Sequence, residues 1–255
     1  MTITVAGEPL IAYLLASLRI VAWLAVVPPF STRAVPAGAK VILSLGLALA
    51  VAPAVGAGEV PTGTWELVTS ALTQVFLGAS MGFVTFLVFA AVQAAGDLVD
   101  VFGGFSLAAA FDPLSMNMNT VFGKLHQMLA IMLLFASGAH LFVIGGLLKT
   151  FDHLPIGSTA DVTSIADVVT TAFGLFFTTA IQIALPLVGV LFIADLGLAL
   201  LTRVAPQLNA LGIMFPAKIG LTLLVVGLSF PVLPEAMDRL TDTVGSALQA
   251  MAGGS

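Results

Sequence analysis

Apolar residues run through this chain in long blocks, and the block lengths suit helices rather than strands. The first, Leu10 to Val27, is about as long as a bilayer core requires. Pro28-Pro29 stops it, because proline restricts the residue before it and cannot donate a backbone hydrogen bond. Ser31 to Lys40 reads as a short basic loop with Arg33 and Lys40, and a shorter run follows from Val41 to Val55. The loop Gly56 to Trp65 holds Glu59, with Glu66 beside it. Leu67 to Ala95 would reach roughly 40 Å as one helix, more than the ~30 Å of a hydrocarbon core. Leu125 to Leu148, Val168 to Leu201 and Ala210 to Leu233 complete the set. Pro186 is expected to break the fifth run. The tail 234–255 reads as mildly amphipathic, with Gly253-Gly254-Ser255 expected to be disordered.

Between the third and fourth runs lies a different kind of sequence. Gly96 to Thr120 carries Asp97, Asp100 and Asp112, the pair Gly103-Gly104, the break Asp112-Pro113, and Met116 and Met118 alternating with Asn117 and Asn119. It is expected to be irregular backbone beside or inside the helices. At bilayer depth such backbone is tolerated only when buried in protein or lining a cavity. Gly103 to Thr120 is therefore either outside the bilayer or lining something.

Composition supports this architecture. The 255 residues are 59% hydrophobic and only 8% charged, against about 25% charged in a soluble domain. Mean hydropathy is +1.14. So few charges cannot cover a water-facing surface. The expectation is an all-α, polytopic membrane-type protein of about six long, partly kinked segments arranged as hairpins, in a single domain spanning residues 1–255. No 20–50-residue repeat is visible. The absence of cysteine excludes disulfides and thiol chemistry. A net charge of −5 with no basic run argues against nucleic-acid binding. Met1 to Glu8 has no Lys or Arg, and Arg19 interrupts the first run, so no signal-peptide pattern is read. Counting basic residues near the breaks puts the Arg33 loop, the Gly96–Thr120 stretch and the Arg203 turn on the cytoplasmic side.

Charges within the apolar runs are the candidates for chemistry. Arg19 falls mid-run, where a charge is costly and turns into a bundle, pairs with an acid or snorkels to the interface. Asp97 and Asp100 share a helix face at i, i+3; they suit cation binding or a proton relay, or they mark where the third helix leaves the apolar phase. Asp195 and Lys218 are further charges inside runs. Gly78 and Gly82 form a small-residue pair that lets helices approach closely. His126, His140 and His153 lack metal-ligand spacing. Nucleophile and phosphate-loop signatures are absent. Met116 and Met118 suit an adaptable seal, or are incidental to an Asn/Thr120 helix cap. Physical reading alone leaves a channel, a transporter using Asp97, Asp100 and Asp195, or a membrane scaffold.

An ordered set of motifs resembles the FliR family, the flagellar type III export-gate subunit, and its virulence-system counterparts. The set begins with Arg19 and Pro29-Phe30-Ser31. It continues through Ala95-Gly96-Asp97, Gly104-Phe105-Ser106-Leu107-Ala108, Asp112-Pro113, Leu134-Phe135-Ala136-Ser137-Gly138-Ala139-His140-Leu141 and Thr150-Phe151-Asp152-His153-Leu154-Pro155-Ile156-Gly157. It closes with Ala184-Leu185-Pro186 and Arg203-Val204-Ala205-Pro206-Gln207-Leu208-Asn209. The resemblance implies a non-enzymatic subunit without cofactor or metal, present once in a helical complex with FliP-like and FliQ-like chains, joined by a FlhB-like chain. It implies a bacterial inner-membrane location in the flagellar basal body, and unfolded exported proteins as substrates. It also implies a pore-loop region at 96–124, in which Gly103, Gly104, Phe105, Ser106, Leu107, Phe111, Asp112, Pro113, Met116 and Met118 form a plug. Arg19, Gly78, Gly82, Asp97, Asp100, Asp195, Arg203 and Lys218 are then expected in helix–helix or subunit contacts.

Overall fold

A computed structural model describes residues 7–55, 63–106, 120–157, 162–205 and 210–253. Its regular structure is entirely helical among these residues. The elements are α1 (Gly7–Val26), α2 (Ala37–Val55), α3 (Thr64–Gly103), α4 (Val121–Ala136), α5 (Ala139–His153), α6 (Val162–Val204), α7 (Ala210–Ser229), a 3₁₀ turn (Phe230–Val232) and α8 (Leu233–Met251). Among the described residues, four helical stretches are long and apolar enough to cross a membrane, or five if α4 and α5 count as one broken span.

Several boundaries differ from the sequence expectation. Helix α2 begins at Ala37 rather than Val41, so Lys40 is helical; the carbonyl of Pro36 accepts the N–H groups of Ala39 and Lys40. Pro36 thus sits at the start of the helix, where its missing N–H costs nothing. Helix α3 continues past Ala95 to Gly103, making 40 residues, so irregular backbone does not begin at Gly96. Helix α6 is continuous over 43 residues and runs through Pro186. That proline removes one intrahelical hydrogen bond, a loss that neighbouring groups in apolar bundles commonly make good.

The fourth run is two helices, not one. α4 ends at Ala136 and α5 begins at Ala139, with a break between them. Gly138 lies there at φ 75°, a left-handed conformation that side chains disfavour. Its N–H donates to the carbonyl of Phe135, and the Ser137 hydroxyl accepts the N–H of Ala139. The tail is a 19-residue helix, α8, burying Met237, Leu240, Val244, Leu248 and Met251 at helical spacing.

The chain forms two compact units. One comprises Met1–Val88, Phe135–Phe173 and Arg239–Ser255. Here α1 packs on α3 through glycines. A Cβ at Gly78 would overlap the Arg19 carbonyl, and one at Gly82 would lie 3.0 Å from the Val26 Cβ. Tyr13 donates to the Leu45 carbonyl at 2.9 Å and ties α1 to α2. The second unit comprises Phe89–Leu134 and Gly174–Asp238. Its core is Val99, Phe122, Leu187, Leu191 and Val226, drawn from α3, α4, α6 and α7.

Candidate functional site

The second unit holds the flanks of the 107–119 segment, and these flanks are built with care. Helix α3 ends at Gly103, and Gly104 follows at φ 84°, where glycine alone is unstrained. A Cβ at Gly103 would press on Thr222 at 2.9 Å. Lys218 lays its methylenes beside Gly104, within 3.6 Å of where a Cβ would stand. The Lys218 ammonium pairs with Asp195 at 2.7 Å. Phe105 turns inward and meets Phe122 edge-on, with ring centroids 4.9 Å apart. Ser106 reaches the Asp100 carbonyl at 3.4 Å.

On the far side of the segment, the start of α4 is held by the two carboxylates of α3. Asp100 is buried, and its Oδ2 accepts the backbone N–H groups of Phe122 at 2.8 Å and Gly123 at 3.0 Å. Asp97 accepts a short hydrogen bond from the Thr120 hydroxyl. The first N–H groups of a helix have no intrahelical acceptor, and its N-terminus favours negative charge. Ordinarily a residue just ahead of the helix caps it. Here the cap comes from another helix, 22 residues earlier in the chain. The close approach depends on two glycines. A Cβ at Gly96 would overlap the Phe122 carbonyl, and a Cβ at Gly123 would overlap the Asp97 carboxylate.

This geometry assigns the i, i+3 acids a structural task. Asp97 and Asp100 lie in the last two turns of α3, near the helix end expected for them, and they clasp the start of α4. Asp195 is paired with Lys218. Each of the three acids considered for a transporter site therefore already has a partner, while Asp100 Oδ1 is buried without one. Leu107, Phe111, Asp112, Pro113, Met116 and Met118 lie outside the described residues, so only Gly103, Gly104, Phe105 and Ser106 of the expected plug are described.

Arg19, in the first unit, neither snorkels nor finds an acid. It is fully buried; Nε donates to Gln74 Oε1 at 2.7 Å and Nη2 to the Leu154 carbonyl at 2.8 Å. Its guanidinium lies 4.1 Å from the centroid of the Phe151 ring. A neutral amide, a carbonyl at the C-terminal end of α5 and an aromatic face together replace a carboxylate. Arg203 stands exposed in the last turn of α6, where its charge suits the helix dipole. His126 is buried with Nδ1 2.8 Å from the Phe122 carbonyl, and the His140 ring lies tilted against Phe135 with ring centroids 4.9 Å apart. Among the described residues no cluster of three metal-binding side chains occurs.

Sequence reasoning did not single out Gln74, Phe122 or Gly123, and it took Gly96 only as part of a family motif. The signal for Gly96 and Gly123 was present: each is a glycine beside a clasp partner, Asp97 or Phe122, inside an otherwise helical pattern.

Comparison with known proteins accords with this architecture. The family described as Bacterial export proteins, family 1, matches residues 10–244. The Flagellar biosynthetic protein FliR of Escherichia coli K12 is 34% identical, over 74% of this chain and 72% of that protein. The FliR of Pectobacterium carotovorum is 30% identical over 89% and 87%. The Yop proteins translocation protein T of Yersinia pestis is 28% identical over 78% and 77%. With an all-helical, apolar chain and a family match that runs from α1 into α8, this protein belongs to the FliR family of bacterial export proteins.

Proposed function

We propose that this chain is a single-copy subunit of the flagellar type III protein export gate, and that its 103–120 segment plugs the channel. As a member of its family it is a structural component of an export apparatus and not an enzyme. The observation that carries the plug reading is the clasp. Asp97 and Asp100 tie the start of α4 to the end of α3, so the segment leaves and returns at one anchored base. An element that must resist pressure in a channel needs a rigid base. The Gly103-Gly104 pair gives it backbone freedom on one side. Phe105, Leu107 and Phe111 give it occluding bulk.

The partners under this reading are FliP-like, FliQ-like and FlhB-like chains in the bacterial inner membrane, with unfolded exported proteins as cargo. Exposed apolar side chains along α6, among them Phe177, Leu185, Ile193 and Leu200, offer surface to such partners or to lipid. Virulence relatives share the family at 28–30% identity, inside the 24–34% range of the flagellar members, and the 34% match to the Escherichia coli protein favours the flagellar reading. Deletion of residues 107–113 is expected to make the assembled, resting complex leaky to small ions. An unchanged leak in a complex of normal composition overturns the plug. Co-purification with FliP-like and FliQ-like chains, with one copy of this chain per complex, tests the assembly separately.

A further inference from the structure

We propose that the groove between α5 and α8 binds the headgroup of a zwitterionic phosphoethanolamine lipid. The groove encloses about 600 Å³, within the range of ligand clefts, about 300–1,000 Å³. It exists because side chains are missing. A Cβ at Gly145 or Gly245 would meet nothing within 4 Å, whereas one at Gly146 would touch Leu248 at 3.4 Å. The two helices are thus in contact at Gly146 and open beside it. From Leu141 to Lys149 the α5 wall spans about 12 Å, at 1.5 Å per residue.

The lining divides into apolar and charged parts. Leu141 and Phe142 are 66% and 75% exposed, large apolar groups without cover. Lys149 of α5 and Asp242 of α8 line the same groove, both exposed. Among the described residues no ion pair joins them, and Lys218–Asp195 is the pair present. A purely anionic ligand would find Lys149 but face Asp242; a purely cationic one would meet the reverse. A headgroup with a phosphate and an ammonium a few bonds apart satisfies both. The Ser246 hydroxyl and the Gln249 amide add hydrogen-bonding groups, and Leu141 and Phe142 receive the first acyl methylenes. The polar lining matches opposite charges held in one molecule, and the apolar lip matches the tail attached to it. Among the described residues four apolar stretches are long enough to cross a membrane, which brings the chain into contact with lipid.

Native mass spectrometry of the full chain, isolated in detergent with its partners, tests this. Phosphatidylethanolamine, phosphatidylglycerol and phosphatidylcholine are added in turn. One phosphatidylethanolamine per chain is expected, retained at least tenfold over phosphatidylglycerol and more than phosphatidylcholine, whose methylated ammonium cannot donate to Asp242. Lys149→Ala and Asp242→Ala, both at exposed positions, should each reduce retention at least fivefold, as should Gly145→Leu, which fills the groove. Lys40→Ala serves as the unaffected control. Equal retention of phosphatidylglycerol, or retention unchanged in all three variants, overturns the site. So does a photoreactive side chain at Phe142 that cross-links to polypeptide rather than lipid.

Discussion

The carboxylate of Asp100 on α3 accepts the backbone N–H of Phe122 on α4 at 2.8 Å, across the two ends of the 107–119 segment. The same oxygen also accepts the Gly123 N–H. Asp100 is 1% exposed, so neither donor has water as an alternative. Asp100→Ala strands both, and each buried unpaired donor costs about 1–3 kcal/mol. Asp100→Asn keeps the acceptor oxygen, loses the charge at the helix N-terminus, worth about 0.3–2 kcal/mol, and places an amide NH2 where Oδ1 is buried without a partner. Thermal unfolding of the purified complex should rank wild type above Asn and Asn above Ala. Equal loss in the two variants would assign the effect to charge rather than to hydrogen bonding.

Arg19 is held by two acceptors and a ring in a pocket closed to solvent. Lysine carries the charge but not the planar fork, and cannot reproduce two divergent hydrogen bonds and a stacked face together. Arg19→Lys should therefore destabilise clearly. Arg19→Ala should do so more, by roughly 3–5 kcal/mol, because it leaves a cavity as well as unpaired acceptors. The amount of chain surviving in the membrane fraction, and its thermal midpoint, check the order. A lysine variant as stable as wild type would mean that charge alone matters at this position.

Glycines on the helices divide by what surrounds them. At Gly78 a Cβ would collide with the Arg19 backbone carbonyl, while at Gly46 on α2 it would meet nothing within 4 Å. Alanine favours helix by about 1 kcal/mol over glycine. Gly46→Ala should thus be neutral or stabilising in the isolated chain, and Gly78→Ala destabilising despite the same propensity gain. Matched unfolding curves decide it. A neutral Gly78→Ala would show that α1 and α3 can separate without penalty.

Much of the fold was legible in the sequence for a simple reason. In an apolar setting only helices and closed barrels satisfy the backbone, and unbroken apolar runs of this length suit helices. The runs predicted α1, α3, α6 and α7 in place, with errors at the ends. Pro28-Pro29 marked the end of α1 as expected. Pro186 misled, because a single proline removes one hydrogen bond from a 43-residue helix whose other bonds remain. Gly138 also misled, since one glycine in an apolar run does not reveal whether it will adopt a left-handed conformation.

The candidate site was legible as a location but not as a mechanism of attachment. Sequence reasoning picked out Asp97, Asp100, Gly103 and Gly104, and the family resemblance gave the segment after them a role. It could not say that Thr120, Phe122 and Gly123 receive the two carboxylates, or that Lys218 covers Gly104.

By itself, then, the sequence determined the helical class, the membrane-type character, the family and the position of the interrupted stretch. These follow from composition, run length and motif order, which are local or additive properties. The tertiary structure alone decided what each buried charge does. Arg19 meets a carbonyl 135 residues away, and Asp97 meets a hydroxyl 23 residues away. Whether a charge in an apolar run is a helix end, a transport site or a clasp depends on the group that reaches it through folding, and nothing in the neighbouring residues encodes that group.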